Sequence, residues 1–255
     1  MELIICGALG HMGMAVAHCA RRHDVHIQCG IDGKAGKEDA VGDYPVYPDF
    51  DSCHEEADCL IDFSSREALA PLLAFALKRR LPCVLCSTGY TQEDLAAIQE
   101  ASRLIPVFRS SNMSLGGSLL SLLVEKAASV LDASFDVEIV EAHHRRKKDA
   151  PSGTAIMLRD AVNRGRGTVC ATRHGREGNG LTRPAGEIGM HALRGGTVTG
   201  EHQVYFLGDM ERLVLSHTAE DRSVFADGAL RASEYLITCQ AGMYSMRDLL
   251  SSLLN

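Results

Sequence analysis

A chain of 255 residues with 45% hydrophobic and 23% charged side chains has the composition of a globular protein, with room for one large domain or two modest ones. A net charge of -7, no Trp and 5% aromatic content exclude the basic, stacking surfaces of nucleic-acid binders, so any anionic ligand needs a local cluster of cations. No apolar run nears the roughly 20 residues of a membrane span, the N-terminus lacks signal-peptide features, and nine scattered cysteines fit reduced thiols, so a cytoplasmic protein without membrane or nucleic-acid partners is expected.

Leu3 to Cys6 is a short apolar run ending in glycine. Gly10 to Arg22 follows with Met12, Val16 and Cys19 at helical spacing, and Val25 to Ile31 reads as a second strand. This β-turn-α-β order is the unit of parallel sheets. The alternation continues with a strand at Leu60 to Phe63, a helix at Glu67 to Arg80, a strand at Cys83 to Cys86, a helix at Gln92 to Arg103 and a strand at Ile105 to Phe108. The first 110 or so residues therefore read as an open, doubly wound α/β domain.

The texture then changes. Leu115 to Val130 is a long helix pattern, and Phe135 to Ala142 alternates like a strand. Arg164 to Gly200 reads as loops and short strands, and Glu201 to Leu207 with Arg212 to Ser216 flanks a Gly208-Asp209 hairpin turn. This part reads as α+β with a mixed or antiparallel sheet. Ala226 to Leu254 returns to helix. The boundaries are placed at 1–113 with 222–255 for the first domain and 114–221 for the second.

Two stretches carry chemistry. Gly7-Ala8-Leu9-Gly10-His11-Met12-Gly13 lies between the first strand and the first helix, spaced G-x-x-G-x-x-G. Bare backbone at a helix N-terminus lets main-chain N–H groups reach a pyrophosphate. Asp32, after the second strand, stands where an acid would hold ribose hydroxyls. A tight turn followed by a surface acid would leave the same residues, but strand, helix and acid together favour dinucleotide binding. The Asp32 carboxylate repels a 2′-phosphate and so favours NADH over NADPH, while neighbouring Lys34 softens that preference.

The second stretch is Glu141-Ala142-His143-His144-Arg145-Arg146-Lys147-Lys148-Asp149-Ala150-Pro151-Ser152-Gly153-Thr154. Two histidines and four cations follow a strand, and Pro-Ser-Gly-Thr opens a helix over Thr154 to Val162. Free helix N–H groups and nearby cations suit the carboxylates of a small dianionic acid. Histidine is the side-chain type that can transfer a proton near neutral pH, and either of the two could do so. A solvated basic loop before a plain helix cap is the bland reading. A metal site is disfavoured, because the histidines are adjacent and no matching ligand pair accompanies them. Elsewhere, Cys83 and Cys86 read as small strand hydrophobes, and His202 and His217 as core or interface residues.

The block His143-His144-x-x-Lys147-x-Asp149-Ala150-Pro151-Ser152-Gly153-Thr154 resembles the signature of the dihydrodipicolinate reductases. Ile61-Asp62-Phe63-Ser64, Ser87-Thr88-Gly89-Tyr90, Ser111-Asn112-Met113-Ser114, Glu187-Ile188-Gly189, Arg194-Gly195-Gly196 and Ser216-His217 agree in order, so the resemblance runs nearly the whole chain. It implies a Rossmann-like nucleotide domain, an α+β substrate and tetramerisation domain with a mixed sheet, and a homotetramer. The implied reaction is NAD(P)H-dependent reduction of a cyclic imine to tetrahydrodipicolinate, on the route to diaminopimelate and lysine. By resemblance His143 is the acid/base, Lys147 the proton donor, and His144, Gly153 and Thr154 bind substrate carboxylates. Gly7, Ala8, Leu9, Gly10, His11, Met12, Gly13, Asp32, Cys86, Ser87, Thr88, Ser110, Ser111, Asn112 and Met113 match cofactor positions.

Two residues depart from the family pattern. His11 replaces a usual Arg or Lys, which tilts the expectation further to NADH, and Cys86 replaces a smaller residue. Another two-domain amino or imino acid dehydrogenase, or a non-catalytic dinucleotide sensor, are the alternatives.

Overall fold

The computed structural model describes residues 1–36 and 39–254. In chain order the elements begin β1 (Glu2–Cys6), α1 (His11–Ala20), β2 (His26–Ile31), β3 (Ala40–Val41), β4 (Tyr44–Tyr47) and β5 (Cys59–Asp62). A 3-10 turn at Arg66–Ala68 leads into α2 (Leu69–Arg79), β6 (Cys83–Leu85), α3 (Gln92–Ser102) and β7 (Pro106–Arg109). Then come α4 (Leu115–Val130), β8 (Asp136–His143), α5 (Gly153–Arg166), β9 (Thr172–His174), β10 (Ile188–Arg194), β11 (Gly200–Leu207) and β12 (Arg212–Ala219). The chain ends with α6 (Ser223–Leu236), β13 (Gly242–Tyr244) and α7 (Met246–Leu254). Two compact units result, one from Met1–Leu115 with Arg222–Asn255, the other from Gly116–Asp221.

The first unit is a Rossmann-like sheet in the order β13-β7-β6-β5-β1-β2-β4-β3. Every pairing is parallel except β3 with β4. Its central strands are apolar on both faces, as a sheet covered on two sides requires. Leu3, Ile5, Ile61, Val84 and Phe108 pack with α1, α6 and α7 on one face. Ile4, Cys6, Leu60, Cys83, Leu85 and Val107 pack with α2 and α3 on the other. Cys83 and Cys86 thus fall on opposite faces, both buried.

The second unit is a mixed sheet in the order β12-β11-β8-β10-β9. β8 runs parallel to β10 and antiparallel to β11. Alternate residues of β8 are buried, and Val137 and Ile139 pack with Leu120, Val124, Ala155 and Leu158 of α4 and α5. The next two positions of that buried row are Glu141 and His143. A hydrophobic row therefore ends in an acid and an imidazole, and α5 begins beside them.

Three sequence expectations change. The C-terminal helix is two helices, because residues 242–244 leave the helical path and pair with β7, which covers that strand's open edge. The stretch expected as loops and short strands also holds the end of α5, closed by Gly167 at φ 65, and its β10 is seven residues long and lies inside the sheet. The helix expected from Glu67 opens instead as the 3-10 turn.

Candidate active site

In the first unit the expected cofactor residues gather at the carboxyl edge of the parallel strands, where α/β sheets place their ligands. Gly7 follows β1 with φ +81, and a Cβ there would stand 2.8 Å from the Phe63 carbonyl oxygen. A Cβ on Gly13 would stand 2.3 Å from the Gly7 oxygen, so the loop and α1 are in backbone contact. Gly10 caps α1 without a side-chain bond, and no acid occupies the first turn. Main-chain N–H groups at the start of α1 are thus left for an anion.

Asp32 sits just past β2 and accepts from the backbone N–H of Leu9 (3.0 Å) and of Lys34 (3.0 Å). It joins the glycine loop to its own turn and borders a cleft of about 550 Å³ lined also by Gly7, Gly10, Lys34, Phe50 and Phe63. Ala8 is buried, Leu9 and Met12 half-buried, and His11 exposed.

After β6, the Cys86 N–H donates to the Asp62 carbonyl (3.0 Å), and burial pushes its thiol well up. Ser87 is buried with its hydroxyl beside that of Tyr90, and Thr88 is exposed. After β7, Ser110 donates its hydroxyl to the Asn112 carbonyl (2.7 Å), Asn112 accepts from Ser114 N–H (2.9 Å), and Met113 is buried while Ser111 is exposed.

In the second unit, His143 ends β8 at 8% exposure. Its Nδ1 donates to Glu141 (2.6 Å). Glu141, 1% exposed, also accepts both guanidinium arms of Arg194 (2.7 Å each) and the backbone N–H of Ser152 (3.0 Å). Arg194 comes from the parallel register, where it lies opposite His143. It further donates to the Asp149 carbonyl (2.7 Å) and so holds the loop before α5.

Burial pushes the Glu141 carboxyl up, but the Arg194 and His143 bonds outweigh it and leave it below the usual carboxylate range. A bidentate Arg with further donors is what makes a buried carboxylate tolerable. Burial holds His143 below the ordinary imidazole value, against the pull of Glu141. With Nδ1 committed to an ionised acid, Nε2 is the nitrogen that can exchange a proton. A Cβ on Gly200 would stand 3.2 Å from that atom, so glycine keeps the space beside it open.

Ser152 caps α5, its Oγ accepting from Ala155 N–H (3.1 Å) and sharing a 2.9 Å bond with Nε2 of His202. His202 lies opposite Glu141 on β11 and edge-on to His143, with ring centroids 5.1 Å apart. Burial and the charge of His143 push His202 down to about 4, so it is neutral near pH 7. Lys147 pairs with Asp149 (3.0 Å), whose carboxyl it holds below the usual range. Gly153 and Thr154 form the first turn of α5.

The sequence singled out His143 and Lys147 and placed Ser152 in an anion-binding helix start, but it gave no role to Glu141 or Arg194. The signal was the parity of β8: Glu141 and His143 occupy positions that Val137 and Ile139 mark as core-facing. His202 is a core residue as expected, and its partners are Ser152 and the His143 ring.

A family profile described as dihydrodipicolinate reductase, N-terminus, matches residues 1–113, and one for the C-terminus matches 116–250. A 4-hydroxy-tetrahydrodipicolinate reductase of Caldanaerobacter subterraneus subsp. tengcongensis is 46% identical over 250 residues, covering 98% of each chain. One from Clostridium perfringens is 42% identical over 253 residues, again covering 98% of each. Among solved structures, a dipicolinate-bound dihydrodipicolinate reductase from Paenisporosarcina sp. TG-14 shares the fold with TM-score 0.78 at 22% identity, over 96% of this chain and 97% of that one. A probable dehydrogenase from Thermotoga maritima shares it more loosely, with TM-score 0.65 at 12% identity, over 100% and 94%. With profiles covering both units and relatives this similar along the whole chain, the protein belongs to the dihydrodipicolinate reductase family.

Proposed function

We propose that this chain is an NAD(P)H-dependent 4-hydroxy-tetrahydrodipicolinate reductase, reducing a small dianionic cyclic imine to tetrahydrodipicolinate in diaminopimelate and lysine biosynthesis. The observation that carries the reading is the buried wiring of His143 through Glu141 to Arg194, beside the first turn of α5, in a chain 46% identical to a relative of that name. The unit of 1–113 with 222–255 is assigned to the dinucleotide, and 114–221 to substrate and oligomerisation.

The first unit fits a dinucleotide. A Cβ would fill the cradle at Gly7 and Gly13, so backbone there stays open to close approach. Gly7 to Gly13, Asp32, Cys86 to Thr88 and Ser110 to Met113 would hold it. A bound reduced nicotinamide supplies the hydride. NADH is the favoured form, because the Asp32 carboxylate borders the cleft and His11 brings no fixed cation to the loop.

In the second unit, the amides of Gly153 and Thr154 and the His144 side chain take the substrate carboxylates, and holding the ring in one pose is a proximity effect. Charge developing on the ring nitrogen is met by a proton from the Lys147 ammonium, which Asp149 keeps in place. His143 is held neutral near pH 7 by burial, so its Nε2 relays the proton.

The test is a coupled assay. Dihydrodipicolinate synthase makes the substrate from pyruvate and aspartate semialdehyde, and reduced-cofactor absorbance is followed with NADH and NADPH in parallel. Oxidation requiring both proteins supports the reading, and a faster NADH rate supports the cofactor assignment. No oxidation with either cofactor, from a sample that binds NADH, ends it. A homotetramer is expected, and sedimentation velocity on the active enzyme decides it. The expected setting is the cytoplasm; no helix among the described residues is long and apolar enough to cross a membrane.

A further inference from the structure

Seven of the nine cysteines are buried, and most pack as small hydrophobes. Cys19, Cys59 and Cys239 donate to main-chain carbonyls, and Cys19 also accepts from the Arg22 guanidinium. Cys29 and Cys53 differ, because their sulfurs face each other at 3.3 Å, one thiol donating to the other. Cys29 lies on β2, and Cys53 on the segment between β4 and β5, 24 residues away along the chain. A disulfide needs the sulfurs at about 2.05 Å. Closing the gap asks each side chain for a shift of well under an ångström.

The surroundings distinguish the two sulfurs. Arg79 donates to the carbonyls of both Cys53 and Glu55, which anchors the segment and sets a guanidinium beside it. The thiol bond from Cys29 holds Cys53 below the usual thiol range, against its burial. The same bond, with burial, pushes Cys29 well up. Two thiols in hydrogen-bond contact, with a guanidinium beside the segment that carries one of them, are the pairing that redox chemistry uses.

We propose that Cys29 and Cys53 are a reversible redox pair that hydrogen peroxide converts to a disulfide. The Cys53 thiolate attacks the peroxide, the O–O bond breaks, and Cys53 becomes a sulfenic acid while one oxygen leaves as water. The Cys29 sulfur then attacks Cys53, the S–O bond breaks and a second water leaves. Two thiols lose two electrons and two protons, and the peroxide is reduced to two waters. A small dithiol reverses the change by exchange. Both sulfurs are closed to solvent, at 0% and 1% exposure, so oxidation waits on opening of the segment around Cys53.

The pair has a functional address. Asp32 directly follows the strand that carries Cys29, and Pro48, Asp49 and Phe50 of the Cys53 segment line the same cleft as Asp32. The disulfide would tie two walls of that cleft together. The chemistry does not depend on the reductase reading.

The experiment treats the whole protein with hydrogen peroxide, blocks remaining thiols in denaturant, and maps peptides under non-reducing conditions. The expected result is a linked peptide pair containing Cys29 and Cys53, a mass loss of about 2 Da, and full return with dithiothreitol. Cys29→Ala and Cys53→Ala each abolish the link, and the wild-type map keeps the test decisive if either variant misfolds. Peroxide that instead leaves Cys53 as sulfinic acid, or links other cysteines first, overturns the proposal. So does protein whose two thiols resist peroxide until a chelator strips a metal held by Cys29, Cys53 and Glu55, whose donor atoms lie within 4.8 Å of one another.

Discussion

The two chemical edges of the molecule are built from different materials. In the first unit the edge is main chain: Gly7 and Gly13 leave no room for a side chain, and backbone stands against backbone. In the second it is side chain: Glu141 gathers His143, Arg194 and the Ser152 amide around one buried carboxylate. A backbone site fails when atoms are added, and a side-chain site fails when they are removed. Substitutions of opposite kinds should therefore break the two edges.

Removal should act most strongly at His143. His143→Ala is expected to lower kcat by about 10²–10⁴-fold with little change in NADH affinity, the range for losing a general acid/base. Steady-state kinetics with a direct NADH titration checks it, and an unchanged kcat would remove His143 from the chemistry. Glu141→Gln acts one atom further back. It leaves Arg194 without its counter-charge, and breaking a buried pair of this kind costs about 3–5 kcal/mol. It also replaces the charged acceptor of His143 Nδ1–H with a neutral one at best, so the ring's ¹⁵N spectrum should show a weaker Nδ1–H preference. In a His143→Ala background Glu141→Gln should add little further loss of kcat, as expected of residues acting through one another. Fully additive losses would show that Glu141 acts elsewhere.

The same network predicts how acid unfolds the second unit. Burial pushes His202 down from 6.5 to about 4. A depressed imidazole stabilises the fold fully above its unfolded value and loses that stabilisation as pH falls towards the folded one. His202 alone should remove about 3 kcal/mol between pH 6.5 and 4, and burial depresses His143 and His217 in the same direction. Urea melts at stepped pH measure this. His202→Gln should flatten the profile, and an equally steep profile in that variant assigns the loss to other groups.

Addition should break the first unit. The Cβ of Gly13→Ala would meet the Gly7 oxygen at 2.3 Å and the Ala8 Cα at 2.8 Å, both backbone atoms that cannot rotate away. The overpacking cost is about 1–3 kcal/mol, and the loop shift should weaken NADH binding at least about tenfold. Calorimetric titration that finds normal affinity would show that the loop amides do not carry the cofactor.

These two materials also explain what was legible in advance. A backbone site leaves a local mark: Gly7 to Gly13 between a strand and a helix can be read from neighbouring residues alone. So can α4, whose 16 residues form one uninterrupted periodic pattern. A side-chain site is assembled from distant segments. Glu141, Arg194 and His202 come from three strands, and only the register of β8 with β10 and β11 brings them together. What the chain did show was two polar residues at core-facing positions of β8. β13 was hidden for a related reason: it is three residues long and is held by pairing with β7, not by a pattern of its own.

The smallest expected effect lies where the two materials meet, at Asp32. This side chain works within the backbone edge, its carboxylate accepting the Leu9 and Lys34 amides while bordering the cleft. Asp32→Asn keeps an acceptor oxygen for one of those two amides and removes the charge. A unit charge a few ångströms from a phosphate at a wet surface is worth about 1 kcal/mol in water and more where solvent is excluded. The kcat/KM ratio of NADPH to NADH should therefore rise about five- to tenfold, mostly through KM for NADPH. Lys34→Ala should move the same ratio the other way, because it withdraws a cation from the cleft. If Asp32→Asn left the ratio unchanged while NADH binding weakened, Asp32 would be a brace for the glycine loop and cofactor choice would rest on other residues. If the ratio moved as expected at constant NADH affinity, one carboxylate would be both brace and selector.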